Sequence, residues 1–524
     1  MTELRHVRRV SLRAPNEALV RRGALLLEDA LRTASWPLAS PGAVTVVRRL
    51  DVGRIDPEEA PAALSLRIEE RLRDLSTRAV PARSPAAATA EVVRFRDALE
   101  PAVMLVEHVA RSSAPPPWFV QRAVPAARTD LGPRHALRAA LAAARDISPA
   151  GPVALLSALL ERGAAEPLLA ALDPGDGHVL LAALGLPAPA PPPSAASSKN
   201  PSPPRPAAPR ADDSPPPPVP PSVVGASSTA TSAPTRPPAT APARPLHPLV
   251  EDASTRPPMA APDVLAALAP TFRATLRAHV AAWDPADPRV QWLAAAALLD
   301  AAPARRHDPR LAERARELVA ACTDMTFQAG PHGHAPSLMF ETTTPPLDAD
   351  GWTAWGGLLF LIPLLERLGM ATFLADHPAL AEADLPRHLL RDTALRLGAA
   401  PDDPLLRALG APAAPLPVAP FREPTAFARL AGPAPIARPG ASVLAVFQAA
   451  LRRVLRRGPR IGLRTLVERP ARLWSTRTHI DLAFDIRRVD LGIRRLGADI
   501  DPDFVPWLGR VVRFHYRRGE ELHD

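Results

Sequence analysis

The feature that most constrains this chain is a stretch of proline. Residues 187–262 hold 25 of the 68 prolines in a chain of 524 residues, with Ser, Ala and Thr filling most of the rest. Such a segment cannot bury enough apolar area to offset the entropy of ordering it. It is expected to be disordered, to favour extended polyproline-II states and to act as a semi-rigid spacer. The chain therefore reads as two folded parts on either side of a linker.

Composition narrows what those parts can be. The apolar fraction is 47% but aromatics are only 4%, so the cores must be built mainly from Leu, Ala and Val. The formal charge is +9, which in isolation would suggest a polyanionic partner. Lys199 is the only lysine, however, and the basic residues are dispersed among 54 acids. This is the mark of a GC-rich coding sequence rather than of a phosphate-binding surface, and no nucleic acid is expected as a partner. Cys322 is the only cysteine, which rules out an intrachain disulfide and fits a reducing compartment. The start MTELRHVRRVSLRAP has no apolar core of a signal peptide. The most apolar run, Trp355 to Leu365, is roughly half the length needed to span a bilayer. A cytoplasmic chain without a membrane span is the expectation.

The periodicity predicts a mainly α protein with small α+β parts. Residues 1–90 read as a strand–helix–strand–helix unit: a strand at Leu4–Leu12, a helix over 17–34 capped by Asn16, a strand at Val44–Val52, and a helix with Leu64, Ile68, Leu72 and Leu75 on one face. Residues 91–186 read as a bundle of short Ala- and Leu-rich helices, near 91–110, 134–145, 150–162 and 165–185. Beyond the linker, a helical domain over 263–410 holds helices near 263–282, 287–301, 309–326, 379–397 and 403–409. Its segment 352–369 is expected to be a buried helix kinked at Pro363. A proline-rich connector, 411–440, leads to a helix over 441–457. Within the C-terminal region 441–524, His479–Ile486 and Val489–Leu496 are predicted to pair as a β-hairpin turning at Arg487-Arg488, and the tail is expected to add a strand.

Several groups of residues invite a chemical reading. His332-Gly333-His334 is the nearest approach to a metal motif, but no further Cys or His accompanies it and an exposed loop is the simpler account. Asp481, Asp485, Asp490, Asp499, Asp501 and Asp503 crowd the C-terminal segment. Paired carboxylates can do acid–base work or hold a cation. With Arg487, Arg488, Arg494 and Arg495 close by, cross-strand ion pairs on an outward face are the better expectation. Arg452, Arg453, Arg456 and Arg457, continued by Arg460 and Arg464, follow the apolar face Val443, Leu444, Phe447, Leu451, Val454 and Leu455. Such a basic amphipathic helix can bind an anionic partner, or it can simply dock by its apolar face with arginines in water. No phosphate-binding, dinucleotide, serine-hydrolase or zinc-protease motif is found. Cys322 sits in an apolar helical setting that suits a buried structural thiol. An enzyme is not expected, and no cofactor or metal site is assigned.

Two phrases resemble a known family. Leu50-Asp51-Val52-Gly53, after a strand and a helix, is similar to a phrase near the start of tape-measure proteins of phage-tail-like contractile injection systems. Gly356-Gly357-Leu358-Leu359-Phe360-Leu361-Ile362-Pro363-Leu364-Leu365, followed by Leu368-Gly369, resembles an apolar segment of the same family. The resemblance implies a non-enzymatic structural protein that helps set or organise the inner tube, with inner-tube and baseplate proteins as partners. On that view the linker could act as a ruler, since 76 residues of polyproline II span about 240 Å at ~3.1 Å per residue. The other reading is a cytoplasmic adaptor whose P-x-x-P phrases recruit partners to two helical modules.

Overall fold

The computed structural model describes residues 7, 9–34, 42–56, 58–111, 114–127, 131–187, 265, 268–328, 349–412, 414–418, 421–432, 436, 440–458 and 460–522. Among them the chain is mainly helical, with one sheet of three strands and one of five. The predicted linker lies, but for residue 187, outside the described residues, and so do His332 and His334.

The N-terminal unit opens with the helix Glu17–Thr33, capped by Asn16, whose Oδ1 accepts the Leu19 N–H at 2.9 Å. A second helix, Pro61–Thr77, buries Leu64, Ile68, Leu72 and Leu75 as its spacing predicts. The strand expected at Leu4–Leu12 does not form over 9–12, and residues 4–6 and 8 lie outside the described residues. Leu12 instead joins a small cluster with Leu27, Leu64 and Ile68. The sheet is made by β1 (Val44–Val47), β2 (Val80–Pro81) and β3 (Val92–Phe95) in the order β1-β3-β2. β3 lies where a helix was predicted from residue 91. Val92, Val93 and Phe95 favour a strand, and Asp97 then starts the helix Glu100–Arg111 by accepting the Leu99 and Glu100 N–H groups.

The first large core takes residues from both sides of the linker. Helices Pro133–Ile147, Gly151–Glu161 and Pro174–Ala183 share it with Pro270–Ala282, Pro288–Ala301 and Leu311–Gln328. Gly177 shows how tightly they meet, since a Cβ there would lie 2.7 Å from the Arg289 backbone nitrogen. Arg289 Nη1 donates to the Leu172 carbonyl at 3.0 Å, and Arg306 Nη2 to that of Ala183 at 3.2 Å. Leu186 and Leu265, which flank the linker, both lie against this core. The reading of 91–186 and 263–410 as separate modules thus differs from the packing: Leu311 to Cys322 still lie in the first core, and the second takes Ala304 and then the chain from Ala349. The reason lies in side-chain size. Ala139, Ala140 and Ala144 on one side, and Ala294 to Ala297 on the other, cover little area alone, so each helix group needs the other to close a core.

The second core is built on the five-stranded sheet, β4 (Ala349–Thr353), β5 (Ala471–Ser475), β6 (His479–Asp485), β7 (Asp503–Val505) and β8 (Arg510–Arg517), ordered β4-β5-β6-β8-β7. β6 is central: it pairs antiparallel with β5 and parallel with β8. The hairpin predicted between 479–486 and 489–496 is therefore corrected. Residues Leu491–Leu496 form a helix, capped by Asp490 and ended by left-handed Gly497, in the crossover from β6 to β8. Val489, Leu491 and Ile493 fit an alternating period, while Val489, Ile493 and Leu496 fit a helical one, so the cap residues are the deciding signal. The tail does add strands, as β7 and β8.

The apolar segment 352–369 is buried, as expected, but is not one helix kinked at Pro363. Gly356–Phe360 is a 3-10 turn, Leu361–Arg367 is a helix, and the break comes at Gly369, with φ +85°. Pro363 occupies the first turn of its helix, where no hydrogen bond is lost. The chain then bends by 64° into Met370–Asp376. The helix predicted over 379–397 divides into Pro378–Glu382 and Leu385–Leu397 at Asp384, which is itself left-handed with φ 59°. Among the described residues no single helix is long and apolar enough to cross a membrane.

Candidate functional site

The two family-like phrases are built into the fold. In the first, Asp51 Oδ1 accepts the Gly53 N–H at 3.0 Å, and Gly53 has φ +71°, so the pair makes a turn that a glycine closes without strain. Leu50, Val52 and Ile55 flank it and lie against the small N-terminal cluster. In the second, Leu358 and Leu365 are fully buried. A Cβ on Gly356 would lie 2.5 Å from the Ala471 Cβ, and one on Gly357 would lie 2.0 Å from the Leu466 carbonyl oxygen. These glycines let the 3-10 turn press against β5 and the helix Leu463–Val467. Phe360 then stacks on Phe484 and meets Phe514 edge-on, both at 4.9 Å.

Five of the six C-terminal carboxylates are individually engaged, and Asp503 stands exposed. Asp481 is 2% exposed rather than outward-facing, because β6 is an inner strand, and it bonds the His515 imidazole at 2.7 Å. Gly42, with φ +77°, lies close to the other Asp481 oxygen: a Cβ there would be 3.1 Å from it. Asp485 caps the turn at Arg487, Asp490 pairs with Arg469 at 2.8 Å, Asp499 accepts the Tyr516 hydroxyl, and Asp501 accepts the Phe514 N–H. Burial, and then the Asp499 carboxylate, hold the Tyr516 phenol well above its ordinary range. Burial lowers the His479 pKa. An Asp–His pair can orient an imidazole for proton transfer, but here the five Asp side chains serve separate structural contacts. Among the described residues no group of three or more His, Cys, Asp or Glu could hold a metal ion. Cys322 is buried, and burial raises its thiol pKa, as suits a structural residue.

A second electrostatic feature left no trace in local sequence pattern. Arg305, Asp308 and Arg314 at the end of the first core meet Glu382, Asp384 and Arg387 of the second. Arg314 reaches Asp308 at 2.7 Å and also pairs with Glu382, and Arg387 lies 2.9 Å from Asp384. Burial pushes the Arg305 guanidinium down to about 10 and raises the Asp384 carboxyl. Neither Asp384 oxygen has a hydrogen-bond partner of good geometry. Three cations and three anions thus form a buried ionic joint between the cores.

The basic helix Val443–Arg457 docks as its pattern predicts, with Val443, Phe447, Leu451, Val454 and Leu455 buried. Arg452, Arg456 and Arg457 are exposed and Arg453 is half-buried. The helix end abuts another: a Cβ on Gly458 would lie 3.5 Å from Leu496 Cδ1, at the end of Leu491–Leu496. The structure thereby brings exposed Arg494 and Arg495 to the same region. No family model, curated protein or solved structure matches this chain.

Proposed function

We propose that this chain is a non-enzymatic structural and assembly protein of an extracellular contractile injection system, related to the tape-measure proteins its two phrases resemble. One observation carries the reading: the second phrase is core-forming, the first packs half-buried against the small N-terminal cluster, and their glycines occupy positions where a Cβ is strained or excluded. A likeness in such residues is a likeness of architecture. On this reading the chain is made in the cytoplasm and acts with inner-tube and baseplate proteins as the particle is built.

The shared first core bears on how it would act. Leu186 and Leu265 return to one core, so the intervening segment cannot set the distance between two separated anchors. This favours organising the tube as a folded body over measuring it with a stretched linker. The test is electron microscopy of particles from cells lacking the chain and from cells whose chain lacks 190–258. The expected outcome is few or malformed particles in the first case and normal tube length in the second. Normal yield and length without the chain would remove the assembly role. A pull-down that returned signalling proteins instead of tube and baseplate components would favour the adaptor.

A further inference from the structure

We infer that the joined ends of helices Val443–Arg457 and Leu491–Leu496 form a docking surface for an acidic protein face. The argument begins with unmatched charge. Among the described residues, no carboxylate lies within ion-pair distance of Arg452, Arg456, Arg457, Arg460 or Arg495, and all five are exposed. Some exposed arginines elsewhere are paired, as Arg21 with Glu17, and others such as Arg71 and Arg73 are not among the described residues, so it is the gathering of these five at two abutting helix ends that sets them apart. Two of the five lie at the C-terminal end of one helix and Arg495 lies at that of the other, where helix dipoles hold cations in place. The Gly458–Leu496 approach makes them one patch, although nearly forty residues of sequence separate its two parts.

Charge alone would describe a solvated face. The second observation is apolar. Ile486, Leu491 and Ile500 are 51%, 67% and 64% exposed within the same short crossover segment. Arginine beside exposed aliphatic side chains is the composition of protein interfaces, with apolar contact at the centre and charge at the rim. A nucleic-acid backbone offers such aliphatic groups no partner. A uniformly anionic bilayer would accept them but repels Asp503, exposed on the strand that follows, whereas a protein face can set a neutral or basic group opposite that carboxylate. A protein face with carboxylates set around an apolar centre satisfies all three demands. This surface stands apart from the assembly role: it would serve any acidic partner, and either proposal can fail without the other.

The test compares four probes against the full-length chain: poly-L-glutamate, a glutamate–tyrosine copolymer, vesicles with 30% phosphatidylserine, and a 20-base-pair duplex. The copolymer should bind more tightly than poly-L-glutamate, because it supplies apolar contact as well as charge. Combined Arg456→Glu, Arg457→Glu and Arg495→Glu should weaken both polypeptides roughly tenfold or more, with an unchanged melting profile. Leu491→Ser should remove most of the copolymer's advantage. Arg13→Glu, Arg71→Glu and Arg73→Glu together, an equal charge change elsewhere, should leave binding as it was. Equal binding by the triple variant and the native chain would overturn the proposal. So would tighter binding to vesicles or duplex than to the copolymer.

Discussion

Two groups of arginines in this chain do opposite work. Arg305 is buried, and Arg314 and Arg387 nearly so, where the two cores meet, each facing carboxylates. Arg452 and Arg456 stand in water on a helix whose other face is buried, and Arg457, though exposed, rests its guanidinium against Gly432. The residue type is the same and the compositional bias that supplied it is the same. What differs is the dielectric. In the joint, a lost partner leaves a bare charge in a medium that solvates it poorly; on the helix, water replaces any partner at little cost. Arginine content therefore says nothing about which role a given arginine has, and only its surroundings do.

The comparison is broken most directly at Arg314. Arg314→Ala leaves Asp308 and Glu382 buried without their cation, and the expected loss is about 3–5 kcal/mol, seen as a lower urea midpoint. A loss below about 1 kcal/mol would mean that water already reaches the joint. Replacing both partners sharpens the point. Arg314→Met with Glu382→Leu removes a charge pair in favour of apolar groups, and Asp308 keeps the Arg310 N–H at 2.8 Å. This double variant should recover at least half of the stability that Arg314→Ala loses.

Histidines give a smaller effect with a definite sign. Burial lowers the pKa of His307, beside the joint, and of His479 on β6. Each stays neutral in the folded chain below the ordinary value of 6.5 at which the unfolded chain takes up a proton. Their contribution is thus present above about pH 6.5 and is lost as pH falls through their folded values. The urea midpoint should fall between pH 7.5 and 5.5, and His307→Gln with His479→Gln should flatten that fall. The raised Asp384 carboxyl acts with the opposite sign, its contribution being lost as pH rises, but it is common to both proteins and cancels in the comparison.

The same contrast explains what was legible in the sequence. Amphipathic helices were, because their burial repeats every three or four residues: Val443–Arg457 lies within two residues of where the spacing put it, and Pro61–Thr77 buries the expected face although it starts later than the Asp56-Pro57-Glu58-Glu59 opening suggests. The Asn16 cap and the buried character of 356–369 were legible for the same local reason. Strand partners were not. β6 was recognised as a strand from its alternation, yet it pairs with β5 and β8 rather than with 489–496, a choice made by distant residues. Asp481 followed that error, since an inner strand buries what a hairpin would expose. The joint was invisible because Arg314 and Glu382 are 68 positions apart in the numbering and belong to different cores. The proline segment misled in another way: a composition break marks where the chain leaves a core, not where the core ends.

The smallest expected effect is the one that separates the two arginine groups most cleanly. Arg456→Glu with Arg457→Glu reverses two charges at a helix C-terminus, where a cation is favoured by a few tenths of a kcal/mol. It breaks no ion pair among the described residues, although Arg457 lies close against Gly432, where a Cβ would be 2.1 Å from its Nη2. The expected change in stability is therefore within about 0.5 kcal/mol, an order of magnitude below the Arg314→Ala loss. Urea midpoints of the two variants, taken side by side at one ionic strength, measure that ratio. If the helix variant lost as much as Arg314→Ala, these arginines would be structural, and the docking surface would lose its premise that they are held in water for a partner.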